Sequence, residues 1–424
     1  MKHLNLLFFL LLLIPTVMRW PLDASAQTPP PVYVVIFTHI EDNCPPEPLG
    51  SPQSIQNYFF WRNKTIAIAN LFLKHDIKWV FEPDWTFLVA ALTYEDDSVI
   101  ATTNHKNLLR YLKEDLQVTI DPHSHEHRGY NYTDVAHLLD SLGVGGSTVV
   151  GGHVWDPNLP QFQNWDRFRV PVPGSKFPWA LWRGEILMGS ATPNHIHDPV
   201  VSGVWRPKDR YHFFEDDPDG NIVNVGQYKE SDPGDYNGFM GHIMELIDLY
   251  ASGMVSPQYM LTISTHLSPN EINAPNSLHV IEDSLLVPLA ELQREGKVKI
   301  TDFTALVADW KTMFGAQAFM YDPNGAVGVT ANRQSPPGEF LLFHNYPNPF
   351  NPSTVISYQL PVSSQVELSI YNLLGQKIMT LVSEKQTAGI HKFNWDGSGL
   401  ASGVYLYRLE AGEFIQSKKL ILMR

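Results

Sequence analysis

Short, fully apolar runs alternate along this chain with longer segments whose apolar residues recur every three or four positions. Tyr33–Phe37 (Tyr-Val-Val-Ile-Phe) is a continuous aromatic and β-branched run, the pattern of a strand buried on both faces. The spacing then predicts a helix over Ile55–Lys74, a strand over Lys78–Phe81, a helix over Asn107–Leu116 and a strand over Val118–Asp121. Thr133–Leu142 reads as a helix with Thr133 at its N-cap, and Ser147–Val150 as the next strand. From Asp156 to Asp235, Trp, Pro and Asp crowd together and periodicity fades; Val201–Trp205 and Ile222–Val225 are the strand candidates there. Regularity returns with a helix at Gly238–Ala251, a strand at Tyr259–Thr265, a helix at Ser277–Glu295, a strand at Lys297–Ile300 and a helix at Thr304–Met313. Strands alternating with helices predict a parallel α/β sheet, open or closed into a barrel. In such folds reactive side chains gather at the carboxyl ends of the strands.

The pattern changes near Ala316–Gly338, where Asp-Pro-Asn-Gly and Ser-Pro-Pro-Gly occur with few large apolar residues, as in a linker. Beyond it, Thr354–Leu360, Val366–Tyr371, Gln376–Leu381, Gly389–Asn394 and Gly403–Leu409 are short alternating runs split by turn residues, which predicts an all-β sandwich. The expected organisation is a leader over 1–26, an α/β domain over 27–315, a linker over 316–340 and a small all-β domain over 341–424.

Composition adds three constraints. With 44% hydrophobic and 17% charged residues in 424, the chain has the makings of folded domains and not of a disordered one. A net charge of -14 argues against non-specific nucleic-acid binding, which needs a basic surface. Lys2 and His3 precede an apolar run, Leu4–Val17, too short to span a bilayer, and Ala24-Ser25-Ala26 supplies small residues for cleavage: a signal peptide is expected, and no later stretch predicts a membrane span. Cys44 is the single cysteine, so no intramolecular disulfide forms, and a packing role is expected for it ahead of a catalytic one.

Candidate chemistry sits just after the strands. Asp121-Pro122-His123-Ser124-His125-Glu126-His127 offers three imidazoles and carboxylates, borderline ligands for Zn²⁺ or a similar divalent ion; a helical turn would put His123 and His127, four apart, on one face. Thr38-His39-Ile40-Glu41-Asp42 ends the first buried strand in adjacent carboxylates, which burial disfavours unless a cation compensates. His153, after Gly151-Gly152, is a candidate lining residue of the same cleft, and His195 and His197 offer a second metal or substrate contact, with a plain surface loop as the alternative. Trp155, Trp165, Trp179, Trp182 and Trp205 offer aromatic faces to sugars, although core packing is the commoner use of any one of them.

Two resemblances give these segments meaning. Asn345-Tyr346-Pro347-Asn348-Pro349-Phe350-Asn351-Pro352-Ser353-Thr354, Ile370–Gln376, Trp395-Asp396-Gly397, Ala401–Tyr405 and the basic-apolar end Lys418–Arg424 resemble the type IX secretion sorting domain (type A), an Ig-like sandwich. That resemblance implies export across an outer membrane, contact with the type IX machinery, and a secreted or cell-surface destination. Residues 30–312 resemble polysaccharide deacetylases of the NodB homology class, which implies an irregular β/α barrel. On that resemblance His123-Ser124-His125-Glu126-His127 is the His-Ser-x-x-His metal motif, Trp205-Arg206-Pro207 the third motif and Thr262–Leu267 the last. It implies Asp42, His123 and His127 as metal ligands, with Zn²⁺ foremost and Co²⁺, Ni²⁺, Mn²⁺ or Fe²⁺ as options. Glu41 becomes the base, Arg206 its orienting cation, His266 the general acid, and Trp205 and His153 substrate contacts. The first motif departs from the family's paired Asp, and a second register puts His39 in the base position and makes Glu41 the ligand. The implied activity is removal of N- or O-acetyl groups from a carbohydrate. The alternatives are a metal-dependent hydrolase of a non-sugar amide and a catalytically silent glycan-binding protein on the same fold.

Overall fold

The computed structural model describes residues 29–41, 44–153, 164–189, 200–229, 234–323, 340–343, 345, 348 and 350–423. The expected signal peptide lies outside these residues.

The first strand, β1 (Val32–Ile40), is buried over its whole length. Val32, Val34 and Ile36 face a shell of helices, while Tyr33, Val35 and Phe37 face a second apolar cluster on the other side. The chain then alternates: α1 (Pro52–Lys74), β2 (Val80–Pro83), α2 (Trp85–Tyr94), α3 (Asp97–Ile100), α4 (Leu108–Glu114), β3 (Thr119–Ile120), α5 (Tyr132–Ser141) and β4 (Val149–His153). Local chemistry sets where the helices begin. Ser51 caps α1 ahead of Pro52, Asp84 caps α2 and Asn107 caps α4. At α5 the cap is Asn131, in a capping box with Asp134, and the expected cap Thr133 lies inside the first turn because Asn131 captures the Asp134 N–H.

The middle segment supplies the hairpin β5 (Val172–Pro173) and β6 (Leu181–Trp182), then β7 (Ile186–Gly189), β8 (Ser202–Trp205) and β9 (Val223–Gln227). After α6 (Tyr236–Ala251) come β10 (Thr262–His266), α7 (Pro269–Asn273), α8 (Ser277–Ile281), α9 (Val287–Arg294), β11 (Val298–Ile300) and α10 (Phe303–Met313). The single helix expected over Ser277–Glu295 is divided by a π turn at Glu282–Leu286. Pro288, which has no N–H to give, stands just beyond it.

These strands make two main sheets. In the first, β1 pairs in parallel with β10, β2 and β11, and β2 with β3. In the second, β4, β7 and β9 run parallel and β8 is antiparallel to β9. Backbone pairing of His123 with Gly151 joins the sheets at one seam. At the other, the Thr262 hydroxyl accepts from Gly203 N–H (2.8 Å) and donates to Gly226 O (2.6 Å), while Ser202 and Thr262 exchange two further bonds. The result is a mixed α/β domain whose sheets meet along both edges.

Ala316–Pro323, the start of the expected linker, is part of this domain. Phe319 N–H donates to Val204 O, Ser202 and Tyr321 exchange backbone bonds, and Met320 is buried. Exposed strand edges bind extended chain, and β8 would otherwise present one. Gly203 makes room for the contact: at φ +124° it has no Cβ to collide with Phe319 O, which would lie 2.2 Å away.

The C-terminal region is all β. Strands β12 (Leu341–Leu342), β13 (Ser353–Leu360) and β16 (Gly389–Asp396) form one antiparallel sheet; β14 (Ser364–Tyr371), β15 (Lys377–Gln386), β17 (Gly403–Ala411) and β18 (Phe414–Leu422) form the other. Their inward residues, among them Ile356, Tyr358, Leu368, Trp395, Tyr407 and Leu420, share one core. Among the described residues no helix is long and apolar enough to cross a membrane.

Replacing Thr262 by Val keeps the shape and strand preference but leaves the buried Gly203 N–H without its acceptor. The expected loss is about 1–3 kcal/mol of stability, read by urea denaturation of the full chain.

Candidate metal centre

The alternation that buries β1 also aims its end. Tyr33, Val35 and Phe37 share one face, and two-residue steps along it lead to His39 and then to Glu41 just past the strand. On β2 the same step leads from Val80 to Glu82, which is fully buried. Parallel register places His39 opposite Glu82 and Phe37 opposite His266, so chemistry from three strands meets at one level. After β3, Asp121 and His123 continue in extended form, with the Asp121 N–H bonded to Phe81 O and His123 bridged to Gly151.

Two groups of ligand-type atoms result, each within 4.8 Å: Glu41 with His123 and His125, and His39 with Glu82 and His123. His123 belongs to both through its two ring nitrogens. Its Nε2 contacts Glu41 Oε2, which also lies 3.4 Å from His125 Nε2. Its Nδ1 is 3.5 Å from Glu82 Oε2, and His39 Nδ1 is 3.0 Å from that same oxygen. His266 completes the cluster: its ring is stacked on Phe37 (interplanar angle 12°), 4.4 Å from the His39 ring, and its Nε2 accepts from His39 N–H at 3.4 Å.

Electrostatics couple these groups. Burial alone would raise the Glu41 carboxyl, but the charge and hydrogen bond of His123 hold it far below the usual carboxylate range. Burial works against the Glu82 carboxylate too, and contacts with His123 and His39 outweigh it, leaving that group lowered. For His123 burial opposes the charged form, yet Glu41 and Glu82 push its pKa up to about 10. Burial holds His266 well below the ordinary histidine range, and the neighbouring His39 ring adds to the effect. Asp121 is raised to about 8 by burial and the neighbouring Glu82 charge.

A divalent cation suits these donors. Both Glu82 oxygens, His39 Nδ1 and His123 Nδ1 are buried without hydrogen bonds. Imidazole with carboxylate is the ligand chemistry of Zn²⁺ and its neighbours.

The sequence-predicted residues divide as follows. Glu41, His123 and His266 come together. Asp42 lies outside the described residues, as do Trp155, His195 and His197, and the side chains of His127 and His153 are outside the description. The expected helical turn from His123 to His127 does not form. His123 is bridged to Gly151 and Glu126 is left-handed (φ 56°); Ser124 Oγ accepts from Glu126 N–H, and a 3₁₀ turn starts only at His127. In the extended segment it is His125, two residues on, that meets Glu41 beside His123. Arg206 does not reach Glu41; its guanidinium pairs with Asp216 (2.8 and 3.1 Å) and lies over Trp310. Trp205 is wholly buried with its Nε1–H given to Phe213 O, so its face is not open to a sugar; Trp165 is buried as well, while Trp179 is exposed. Glu82 is the residue that sequence reasoning missed. Its signal was a carboxylate two positions beyond Val80 at the end of a buried apolar run. Burial and the Asp84 charge push the Cys44 thiol up to about 12, away from the reactive thiolate form.

Residues 344–423 match the family of secretion system C-terminal sorting domains. The chain thus carries a type IX sorting domain at its end, which marks it for export across the outer membrane and for contact with that secretion machinery. No curated protein matches the chain. Among solved structures, PorZ, an essential surface component of the type IX secretion system of Porphyromonas gingivalis, is 20% identical over 20% of this chain and 11% of its own, with a TM-score of 0.15. A CE4 family pseudoenzyme from Bacillus anthracis is 8% identical over 63% of each chain, with a TM-score of 0.24. The Ig1 domain of mouse SynCAM 2 is 11% identical over 17% of this chain and 81% of its own, with a TM-score of 0.13. The chain therefore spans about a tenth of PorZ and under two thirds of the pseudoenzyme, and scores this low establish no shared fold.

Two measurements probe the site directly. Glu41→Ala and His125→Ala each remove a donor from the outer group, and each is expected to weaken Zn²⁺ binding at least about tenfold by competition with a chelating dye. Cys44 is expected to react with a disulfide reagent at pH 8 on the order of 100-fold more slowly than free cysteine, and at the free rate once the chain is unfolded.

Proposed function

We propose that this protein is an exported, metal-dependent hydrolase on an irregular β/α barrel of the NodB kind, removing N- or O-acetyl groups from a carbohydrate. The observation that carries the reading is the meeting of Glu41, His123 and His125 at the carboxyl ends of parallel strands, with His39 and His266 beside them. The structure favours the register in which Glu41 is a ligand, because its carboxylate is engaged with two imidazoles and Arg206 is engaged elsewhere. Glu41, His123 and His125 would hold the ion, Zn²⁺ foremost, and Asp42 and His127 remain sequence-based candidates for the same role.

When bound, the metal polarises an acyl oxygen and makes a water acidic enough to attack at neutral pH. His39 is then the group that accepts the proton of the attacking water. His266, held unprotonated at rest, would take that proton over from the adjacent His39 ring and deliver it to the leaving amine or alcohol. The depressed basicity of His266 makes its protonated form a ready donor.

One observation favours a second reading. With Glu41 taken as a ligand, no second carboxylate belongs to the outer group among the described residues, which suits a catalytically silent glycan-binding protein.

The deciding experiment is metal analysis and acetate release from acetylated chito- and xylo-oligosaccharides by the full chain. Near-stoichiometric metal with turnover is expected, and His39→Ala and His266→Ala are expected to keep the metal and lower kcat by about 10²–10⁴-fold. Bound metal without acetate release would select the silent reading. No metal uptake would sink both the hydrolase and its ligand set.

A further inference from the structure

Glu82 has no task in the chemistry above, yet it is the most deeply placed charge in the cluster. Its residue is wholly shielded from solvent, and neither carboxylate oxygen has a hydrogen bond. A buried carboxylate in that condition needs compensation from its surroundings. Two atoms can supply it: Nδ1 of His39 at 3.0 Å and Nδ1 of His123 at 3.5 Å, both from the same oxygen, Oε2. Both Nδ1 atoms are themselves buried and without a hydrogen bond. The three atoms thus face one another at close range, with each ring nitrogen within reach of the shared oxygen.

The backbone is built around this meeting. Parallel register fixes His39 opposite Glu82, and the bridge from His123 to Gly151 fixes the other ring. Gly151 itself leaves room for the carboxylate, since a Cβ there would stand 2.5 Å from Glu82 Oε2 and 2.6 Å from Pro122 O.

We propose that Glu82 is a positioning residue shared by two imidazoles, holding a proton on Nδ1 of both His39 and His123 and so turning the Nε2 of each to the reaction side. The roles of the two rings rest on the hydrolase reading above. For His123, Nε2 is the atom that meets Glu41 in the ligand group. For His39, Nε2 becomes the one ring atom able to accept a proton. A carboxylate behind a ligating imidazole fixes its orientation and raises its basicity. Here one carboxylate does this for a ligand and for the proposed base together, and it comes from β2 at the strand level where β1 carries a histidine.

The test uses the full chain with ¹⁵N-labelled histidine, compared with Glu82→Gln and Glu82→Asp, and near-ultraviolet circular dichroism confirms that each variant is folded. In the metal-free wild type, long-range ¹H–¹⁵N spectra are expected to show protonated Nδ1 on both His39 and His123. Both rings meet the same oxygen, Oε2, and a neutral amide is a weaker acceptor there, so the Nδ1 proton is expected to be lost from at least one ring in Glu82→Gln. Co²⁺ affinity of Glu82→Gln is expected to fall about 10–100-fold with a shifted visible band, and Glu82→Asp, which keeps the acceptor, to recover part of both signals. Unchanged ring protonation and unchanged Co²⁺ affinity in Glu82→Gln would overturn the proposal. So would a second equivalent of Co²⁺ in the wild type that Glu82→Gln loses while keeping the first, because Glu82 would then be a ligand. If the wild type takes up no Co²⁺, the hydrolase reading fails, while the metal-free spectra still decide for or against Glu82. If Glu82→Gln does not fold, the same spectra of Glu82→Asp against wild type decide, with loss of either Nδ1 proton expected only where the shorter acid no longer reaches.

Discussion

Strand β1 is hydrogen-bonded to β10 along one edge, to β11 and β2 along the other, and buried on both faces. A segment so enclosed tolerates polar side chains only where their charges are answered, since an unpaired buried polar group carries a desolvation penalty. Its apolar alternation therefore runs as far as Phe37, and the polar residues begin at Thr38, where the neighbouring strands bring their own polar ends to the same level. The site follows from that one constraint. Parallel pairing aligns strand ends, and the inward positions of those ends are His39, Glu82 and His266.

The charges gathered there stabilise one another. Glu41 and Glu82 are both kept ionised by His123, and His123 is kept protonated by the two carboxylates when no cation is present. Removing any member leaves the others exposed to the cost of burial, so the cluster behaves as a unit. His266 stands apart from this balance: desolvation and the nearby positive rings leave it neutral. Its ring lies 4.4 Å from that of His39, close enough for the two to act on one substrate.

The C-terminal sandwich has a core of its own, formed by residues from both of its sheets. Its recognition as a sorting domain fixes the destination of whatever the α/β domain does. An exported protein with one cysteine gains nothing from disulfides, so both parts depend on packing and on satisfied polar seams such as the one at Thr262.

Several of these features were legible in the amino-acid order. The continuous apolar run Tyr33–Phe37, the polar clusters after the strands, and the sorting motifs from Asn345 onward each depend on local spacing or short motifs, which one chain segment carries by itself. Other features were decided by tertiary contacts. That His125 stands beside His123 depends on the backbone, which pairing with Gly151 holds extended where four-residue spacing suggested a helical turn. Glu82 became visible only when β1 and β2 took their register, because the partner of a buried carboxylate lies on another strand. Arg206 found Asp216, ten residues along, in place of Glu41 far away in the chain. Sequence alone thus determined which strand ends carry reactive groups and where the chain is sent. Which of those groups touch was left to strand register and side-chain burial, because a contact between distant segments exists only after the sheet has brought them to the same level.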